Sequence, residues 1–208
     1  MRTAQDFDRY YETPDPWGIS KYRFRDRALR RLIGSYLFDR AVLELGCGEG
    51  HLTQAVFGDA CAVTGVDIST IAISRTTARD LPNARFQVAD FLDIPFADYD
   101  VIAAIECLYY LSPAEQDVLF DKVATEHRGK PFVLCVPIIG DGYPTHAGVM
   151  RSFARHGMAL IKSHNLTIRH DTMRSRALAI TLKLAPLGHM LLDRVPDEYV
   201  YQRCYVTS

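Results

Sequence analysis

The residues best suited to chemistry begin with a glycine-rich loop, Glu44-Leu45-Gly46-Cys47-Gly48-Glu49-Gly50. Glycines let the backbone approach a ligand closely, and the loop lies between a predicted strand and a predicted helix, whose first N–H groups face such a ligand. The spacing is GxGxG, and His51 stands where the dinucleotide fingerprint needs a small residue. Because His51 would crowd a pyrophosphate, the loop favours a nucleotide-type ligand without phosphates.

Two carboxylates follow the next two strands at the same predicted edge of the sheet. Asp67 ends the second strand, 21 residues after Gly46, where an acidic side chain can accept both hydroxyls of a ribose. Asp90 and Phe91 end the third strand, where a carboxylate can accept an adenine amino group while the ring covers the base. Either carboxylate alone is equally consistent with a helix cap. Three features in register at the carboxyl ends of parallel strands indicate a nucleoside site.

A second group of polar side chains follows the fourth and fifth predicted strands. Glu106 directly follows the fourth strand and can accept a hydrogen bond from an amine, unless it is only a solvent-exposed strand end. We expect one of Tyr109 and Tyr110 to line a ligand pocket and the other to belong to the core. His146 begins a helix over the expected mouth of the site, either as a base near neutral pH or as a surface histidine. The other six histidines show no paired ligand spacing, so we predict no metal.

The elements that must position these residues follow from the hydrophobic pattern. Short apolar runs alternate with helix-like stretches, which predicts a parallel sheet with helices on both faces. The predicted strands are 41–46, 61–66, 85–89, 100–106 and 130–139, and the predicted helices between them are 51–58, 69–80 and 112–129. Ser69 and Ser112 are expected to cap the second and third of these helices.

The two ends of the chain differ from this alternation. Apolar residues at helical spacing over 24–37 predict an amphipathic helix, and Arg23, Arg25, Arg27, Arg30 and Arg31 either reach an anionic group or form a solvated face. After a helix over 145–157, we expect two strands, 158–171 and 176–185, to form an antiparallel edge pair. Residues 186–208 form an extension for which the pattern predicts no structure.

Composition limits the classes of function. The chain has 208 residues, 48% of them hydrophobic, and a net charge of −1, which fits one globular domain and argues against non-specific nucleic-acid binding. We find no apolar run of about 18 residues and no secretory-type apolar stretch near the N-terminus. Five scattered cysteines without a CxxC pattern favour reduced thiols. We therefore expect a cytoplasmic monomer or homodimer that binds a small molecule, without membrane or nucleic-acid partners.

The motifs ELGCGEG, VTGVD, QVADF and YDVIAAIECLYYL together resemble those of class I S-adenosylmethionine-dependent methyltransferases. The resemblance covers a core over 41–185, preceded by a lid segment and helix over 1–40. It implies a Rossmann-like, seven-stranded, mostly parallel sheet that has helices on both faces and ends in an antiparallel strand pair. The cofactor-binding residues it implies, from methionine end to adenine, are Trp17 in the lid, Glu44, Gly46, Cys47, Gly48, Gly50, Asp67, Ile68, Asp90, Phe91 and Ile105.

A narrower resemblance links Pro14-Asp15-Pro16-Trp17-Gly18 and Glu106-Cys107-Leu108-Tyr109-Tyr110-Leu111 to the rhizobial nodulation protein S group. That group N-methylates a freed amine on a chitin-like oligosaccharide. The resemblance and the excess of acidic residues over 41–120 favour methylation of an amine on a sugar-like acceptor, with Glu106, Tyr109 and His146 as candidate catalytic residues. O-methylation of a sugar or secondary-metabolite hydroxyl is the alternative. A nicotinamide oxidoreductase and a non-catalytic cofactor-binding regulator are the rivals from other classes.

Overall fold

A computed structural model describes residues 3–208, so Met1 and Arg2 of the expected lid segment lie outside the described residues. It contains a seven-stranded sheet in the order β3-β2-β1-β4-β5-β7-β6. The first five strands pair in parallel, and β7 pairs antiparallel with both β5 and β6. The expected α/β fold is confirmed. The strands are Ala41–Leu45 (β1), Ala62–Asp67 (β2), Ala84–Val88 (β3), Val101–Ile105 (β4), Phe132–Pro137 (β5), Leu160–Ile168 (β6) and Val200–Thr207 (β7).

Helices flank the sheet on two sides. The connection β1–α3–β2 runs toward one edge of the sheet and β4–α5–β5 runs toward the other, so right-handed crossovers place α3 and α5 on opposite faces. The helix α2 packs against α3, and α6 packs against α5. The helices are Ala4–Tyr11 (α1), Arg23–Leu37 (α2), His51–Val56 (α3), Thr70–Thr77 (α4), Pro113–Glu126 (α5), His146–Arg155 (α6) and Met173–Leu184 (α7).

Local capping chemistry explains where two of these helices begin. The Ser69 side chain accepts a hydrogen bond from the Ala72 N–H at 3.1 Å. Ser112 and Glu115 form a reciprocal capping box around Pro113. Both predicted caps are confirmed, because Ser side chains satisfy N–H groups that the first turn of a helix leaves unpaired.

The tail of the chain departs from the prediction. Residues 176–185, expected as the second strand of the antiparallel pair, lie in α7, and the second strand is β7 within the expected extension. The alternation in RALAITLKLA resembles a strand, but Thr172 and Ser175 form a capping box and the segment is rich in helix-forming residues. Because β7 lies between β5 and β6, the segment 186–208 contributes an internal strand of the sheet.

The buried central strands of the sheet determine where the loops after β1 and β4 lie. All residues of β4 and β5 are buried, and β1 is buried from Val42 onward, which fits strands covered on both faces. The strand order reverses between β1 and β4, the point at which open α/β sheets bind ligands beyond their carboxyl ends. The glycine-rich loop follows β1, and Glu106 follows β4.

Candidate active site

A cavity of about 910 Å³ lies beyond the carboxyl ends of β1, β2 and β4. Its volume is near the upper end of the ~300–1,000 Å³ typical of small-molecule sites. Nine of the eleven residues expected to bind the cofactor line its wall: Trp17, Gly46, Cys47, Gly48, Asp67, Ile68, Asp90, Phe91 and Ile105. Glu106 and Tyr109 also line it. The structure therefore brings most residues predicted from separate strand ends into one cavity.

The glycine-rich loop requires glycine at three positions. Gly46, Gly48 and Gly50 have φ values of 68°, 53° and 72°. A Cβ on Gly48 would lie 2.6 Å from the Tyr11 hydroxyl, and one on Gly50 would overlap Thr76 Oγ1. The loop therefore keeps its backbone against the cavity only because these positions carry no side chain. Gly50 itself does not line the cavity but begins α3 as its N-cap.

Asp67 joins the cavity to this loop. Its Oδ2 accepts the Gly48 N–H and its Oδ1 accepts the Ser69 N–H, both at 2.9 Å. Burial raises the pKa of Asp67 above its usual range, while these two N–H donors oppose the shift. Each carboxylate oxygen keeps a further lone pair, so Asp67 can hold the loop and also accept ligand hydroxyls.

Glu44 lies beneath the loop and does not line the cavity. It is buried, and its Oε2 accepts the Thr53 hydroxyl at 2.5 Å. Burial raises its pKa to about 8. The arrangement couples the end of β1 to α3, so Glu44 supports the loop from within the core and makes no wall of the cavity.

Asp90 and Phe91 lie at the end of the cavity next to β3. Asp90 Oδ1 accepts the Leu92 N–H at 2.9 Å, and Phe91 is half-buried against the core. This hydrogen bond resembles the capping role that an isolated aspartate can have. It leaves Asp90 Oδ2 available to accept a hydrogen bond from a ligand. Ile68 and Ile105 add apolar surface to the same cavity.

The N-terminal segment closes over the loop. Asp8 on α1 accepts the Ser69 hydroxyl at 2.6 Å and the Thr70 hydroxyl at 3.0 Å, which anchors α1 on α4. Trp17 packs against Tyr11 and Tyr10, with ring centroids 5.2 and 5.8 Å apart. Trp17 also lines the cavity, and its role as a lid over a cofactor stays a prediction.

Glu49 ties this segment to the loop. Its Oε2 accepts the Asp15 N–H at 2.7 Å, and its Oε1 accepts Arg75 Nη1 at 2.6 Å. Ligand atoms of Asp15, Glu49 and His51 lie within 4.8 Å of one another, a group that sequence spacing did not indicate. Asp15 also accepts the N–H groups of Ile19 and Ser20. Because N–H groups of the protein already donate to the carboxylates of Asp15 and Glu49, the group holds the N-terminal segment against the glycine-rich loop.

Glu106 combines burial with an unusual backbone conformation. Its φ is 61°, which is rare for a residue with a side chain and turns the chain sharply after β4. Its Oε2 accepts a hydrogen bond from the Tyr109 hydroxyl at 3.3 Å, whereas Oε1 is buried without a hydrogen bond of ordinary length from the described residues, although the Gln202 side chain lies close to the carboxyl group. Burial raises the pKa of Glu106 to about 7, and the charge of Arg25 and the side chains of Gln202 and Tyr109 oppose the shift.

Aromatic rings surround this carboxylate. The Tyr109 ring lies 4.6 Å from the Tyr110 ring and 5.0 Å from the Tyr143 ring, and Trp17 lies 6.4 Å from Tyr110. Tyr109 and Tyr110 both line the cavity, which differs from the expectation that one would belong to the core. The pKa of Tyr109 is raised far above its usual value by burial, so its hydroxyl stays protonated and donates to Glu106.

His146 lies outside this arrangement. Its Nδ1 pairs with the Tyr205 hydroxyl at 2.9 Å, and its ring stacks on that of Tyr205. Burial lowers the pKa of His146. The structure does not bring this histidine to the cavity with Glu106 and Tyr109, because the helix α6 that it begins turns the ring toward β7.

Sequence reasoning did not single out several residues around Glu106. Arg25 was one of five arginines expected either to reach an anionic group or to form a solvated face, and it is only 4% exposed and lines the cavity. Gln202 and Tyr201 reach the cavity from β7, in the segment without predicted structure. The helical spacing already separates Arg25 from Arg30 and Arg31, which lie on the opposite, exposed side of α2. Gln202 carried no such signal, because its position depends on a strand pairing between distant segments.

Comparisons with known proteins agree with this geometry. Residues 42–126 match the family described as "Methyltransferase domain". The chain is 30% identical over 107 residues to Nodulation protein S of Azorhizobium caulinodans, covering 49% of this chain and 52% of that protein. It is 33% identical over 97 residues to Ubiquinone biosynthesis O-methyltransferase of Paraburkholderia phytofirmans, and this match covers 47% of this chain and 37% of that protein. The chain thus spans about half or less of the length of these curated relatives.

A solved structure shows the same fold over the whole chain. Magnesium protoporphyrin IX methyltransferase from Synechocystis PCC 6803, determined with bound SAM, has a TM-score of 0.66 and 11% identity. The match covers 100% of this chain and 97% of that chain. At this identity the likeness concerns the fold alone.

Proposed function

We propose that the protein is a class I S-adenosylmethionine-dependent methyltransferase that methylates an amine of a sugar-like small molecule, and the match of residues 42–126 to the family described as "Methyltransferase domain" supports this proposal. S-adenosylmethionine is the cofactor of this domain. The observation that carries the amine proposal is the carboxylate of Glu106 at the end of β4 beside the rings of Tyr109, Tyr110 and Tyr143, a setting that attracts a cationic acceptor. The sugar-like acceptor rests on the resemblance of Pro14–Gly18 and Glu106–Leu111 to an N-methylating group.

The residues present fit this cofactor. Gly48 leaves a space beside Tyr11 that a Cβ would fill, and the buried Asp67 keeps acceptor capacity for hydroxyls. Phe91 offers an aromatic face and Asp90 an open oxygen at the other end of the cavity. We assign Gly46–Gly50 to the methionine end, Asp67 to the ribose, and Asp90 with Phe91 to the adenine.

When bound, the cofactor supplies a methyl carbon on a positively charged sulfur, which is a good leaving group. The chain must then align the acceptor and remove a proton from it. Glu106 lines the cavity and would take the proton of an acceptor ammonium, while Tyr109 donates to its Oε2 and fixes the carboxylate. With a pKa of about 7, the carboxylate is available near neutral pH.

The aromatic wall suits a cationic acceptor. Trp17, Tyr109, Tyr110 and Tyr143 present ring faces and edges along the cavity. A ring face attracts an ammonium group within about 6 Å of its centroid. The same rings exclude water when the N-terminal segment lies over the site, which strengthens the electrostatic contacts inside it.

Methylation of a hydroxyl is the alternative. The similarity to an O-methyltransferase is comparable in identity and length to the similarity to Nodulation protein S. A hydroxyl acceptor would use Glu106 as the base that takes its proton. The two alternatives share all cofactor contacts and differ only in the acceptor atom.

Transfer of labelled methyl to two matched acceptors tests the proposal. One acceptor is a sugar with a free amine, and the other is the same sugar N-acetylated with its hydroxyls intact. We expect label on the amine form alone. Label on both forms would support the hydroxyl alternative. Label on neither, with tight binding of S-adenosylhomocysteine, would contradict the amino-sugar acceptor for the sugars tested and leave the cofactor assignment intact.

A further inference from the structure

The segment between β6 and β7 exposes an unusually apolar surface. Met173 is 86% exposed, Leu184 79%, Leu187 60% and Ile180 56%. On α7, Met173, Ile180 and Leu184 follow one another at intervals of seven and four positions, with Ala177 between the first two, so they form one ridge along the helix. Leu187 continues the apolar surface just beyond the end of the helix. Met190 and Leu191, both 40% exposed, extend the apolar surface into the 3-10 helix Gly188–Arg194. We call these side chains the α7 ridge.

Basic residues flank the α7 ridge on both sides. At 100° per residue, Arg174 lies on one side of the ridge, and Arg176 and Lys183 lie on the other. Arg194 follows at the end of the 3-10 helix. Over the described part of the chain, Arg174, Lys183 and Arg194 are exposed and form no ion pair, and Lys183 also lies at the rim of the cavity.

The acidic residues near the α7 ridge are held by other partners. Asp171 pairs with Arg169, and Asp193 pairs with His164. Arg203 binds Asp197. The chain as a whole carries a net charge of −1, so the excess of basic side chains around the ridge is a local feature.

We propose that the α7 ridge docks onto an anionic lipid surface. A helix whose apolar face is bordered by Lys and Arg lies in the plane of a membrane interface, with apolar side chains in the acyl boundary and basic ones near the headgroups. No helix of the described residues is long and apolar enough to cross a membrane, and docking requires no such helix. The buried face of α7, with Ala179 and Leu182, lines the cavity, so the helix separates the site from the docked surface.

The charges decide between a lipid surface and a second copy of this chain. Two copies related by a twofold axis would bring the basic borders of two ridges together, which costs free energy through like-charge repulsion. An anionic surface is complementary to the same borders. This inference does not depend on the identity of the methyl acceptor.

Co-sedimentation with vesicles tests the inference. The probes are vesicles of phosphatidylcholine alone and of phosphatidylcholine mixed with phosphatidylglycerol. We expect the full chain to bind the anionic vesicles and to be released by salt. The variant Ile180→Ser/Leu184→Ser/Leu187→Ser should bind at least about tenfold less, and Arg174→Glu/Arg194→Glu should lose a similar factor, because each basic residue near such a surface contributes roughly fivefold.

Controls separate docking from misfolding and self-association. Phe38→Ser removes a 71% exposed aromatic side chain elsewhere and should leave vesicle binding unchanged. The charge variant changes only exposed residues, so it tests the inference even if the triple-serine variant fails to fold. Equal binding to both vesicle types, or no binding, would overturn the inference. A dimer that becomes monomeric in the ridge variant and binds no vesicles would assign the ridge to a second copy instead.

Discussion

At the scale of single residues, the buried Glu44 and the partly buried Glu106 have different tasks. Glu106 lines the cavity and Glu44 lies beneath it, yet burial raises the pKa of both, to about 7 and about 8. A raised carboxylate pKa disfavours the charged form in the folded protein. For Glu106 this leaves both protonation states populated near neutral pH, which suits the proton transfer that we propose. For Glu44 it makes stability depend on pH.

Replacing Glu106 tests its role as the proton acceptor. Wild-type kcat/KM should rise as pH increases through about 7, since the deprotonated carboxylate is the active form. Glu106→Gln should lower kcat/KM by about 10²- to 10⁴-fold and remove this rise, while S-adenosylhomocysteine still binds. Glu198→Gln, at an exposed position, is the matched control and should preserve the profile. An unchanged pH profile in Glu106→Gln would assign the proton to another group.

Replacing Glu44 tests the effect of burial on stability. Between its unfolded pKa near 4.5 and its folded pKa of about 8, the folded state holds a proton that the unfolded state has released. The free energy of unfolding should therefore fall as pH rises through this window. Glu44→Gln keeps an acceptor for Thr53 and should be more stable than wild type at pH 8 by on the order of 3 kcal/mol. Urea denaturation at several pH values measures the unfolding free energies of both proteins. If these free energies changed with pH in parallel, the predicted effect of burying Glu44 would be contradicted.

At the scale of elements, the loop, α1 and α7 determine what the cavity can hold. The glycine-rich loop was predictable because its signal is local: three glycines between a strand and a helix. The position of Asp67 also followed, since the end of a parallel strand fixes where its side chain lies. The structure of 176–185 did not follow, because a short apolar segment fits either a strand or a helix until its capping residues are weighed.

Gly50→Ala tests the packing of this loop. The new Cβ would overlap Thr76 Oγ1 in a backbone conformation with φ of 72°. We expect a loss of about 2–4 kcal/mol of unfolding free energy, from overpacking and backbone strain together. Gly58→Ala, where a Cβ meets open space, is the matched control and should have little effect. Chemical denaturation measures both, and equal stabilities of the two variants would contradict the account of the loop.

Trp17→Ala tests whether the N-terminal segment closes the cofactor site. Trp17 packs against Tyr11, whose hydroxyl lies beside Gly48. Losing these ring contacts should weaken S-adenosylhomocysteine binding by roughly tenfold or more, equal to about 1.4 kcal/mol. Titration calorimetry measures the Kd, and Phe38→Ala serves as an aromatic control away from the cavity. A Kd unchanged by Trp17→Ala would limit Trp17 to anchoring the chain terminus.

At the scale of the whole molecule, the sheet explains what sequence could and could not supply. The strands β1 to β5 were predictable as apolar runs separated by helices, and the part of the cavity lined by Gly46, Asp67 and Asp90 followed from them. The part around Glu106 did not follow in full, because Gln202 comes from β7, far away in sequence. Only the pairing of β7 between β5 and β6 brings Gln202 to Glu106.

Ligand-induced stabilisation tests the cofactor assignment for the whole chain. At a concentration about 100 times Kd, S-adenosylhomocysteine should add about 2.7 kcal/mol to the unfolding free energy. For a chain of this length that corresponds to a rise in Tm of roughly 5–10 °C. NAD at the same concentration should produce no rise, because His51 replaces the small residue that a dinucleotide site needs. A shift with NAD alone would favour the oxidoreductase.

The most direct measurement follows a ¹³C-labelled methyl group from S-adenosylmethionine into the product of a free amino sugar. NMR of the purified product reports which atom carries the methyl group, because the shift of an N-methyl resonance changes as the amine titrates and that of a methyl ether does not. We predict a titrating N-methyl signal that wild type produces and Glu106→Gln largely fails to produce. A non-titrating methyl signal formed equally by both proteins would contradict both the amine acceptor and the role of Glu106.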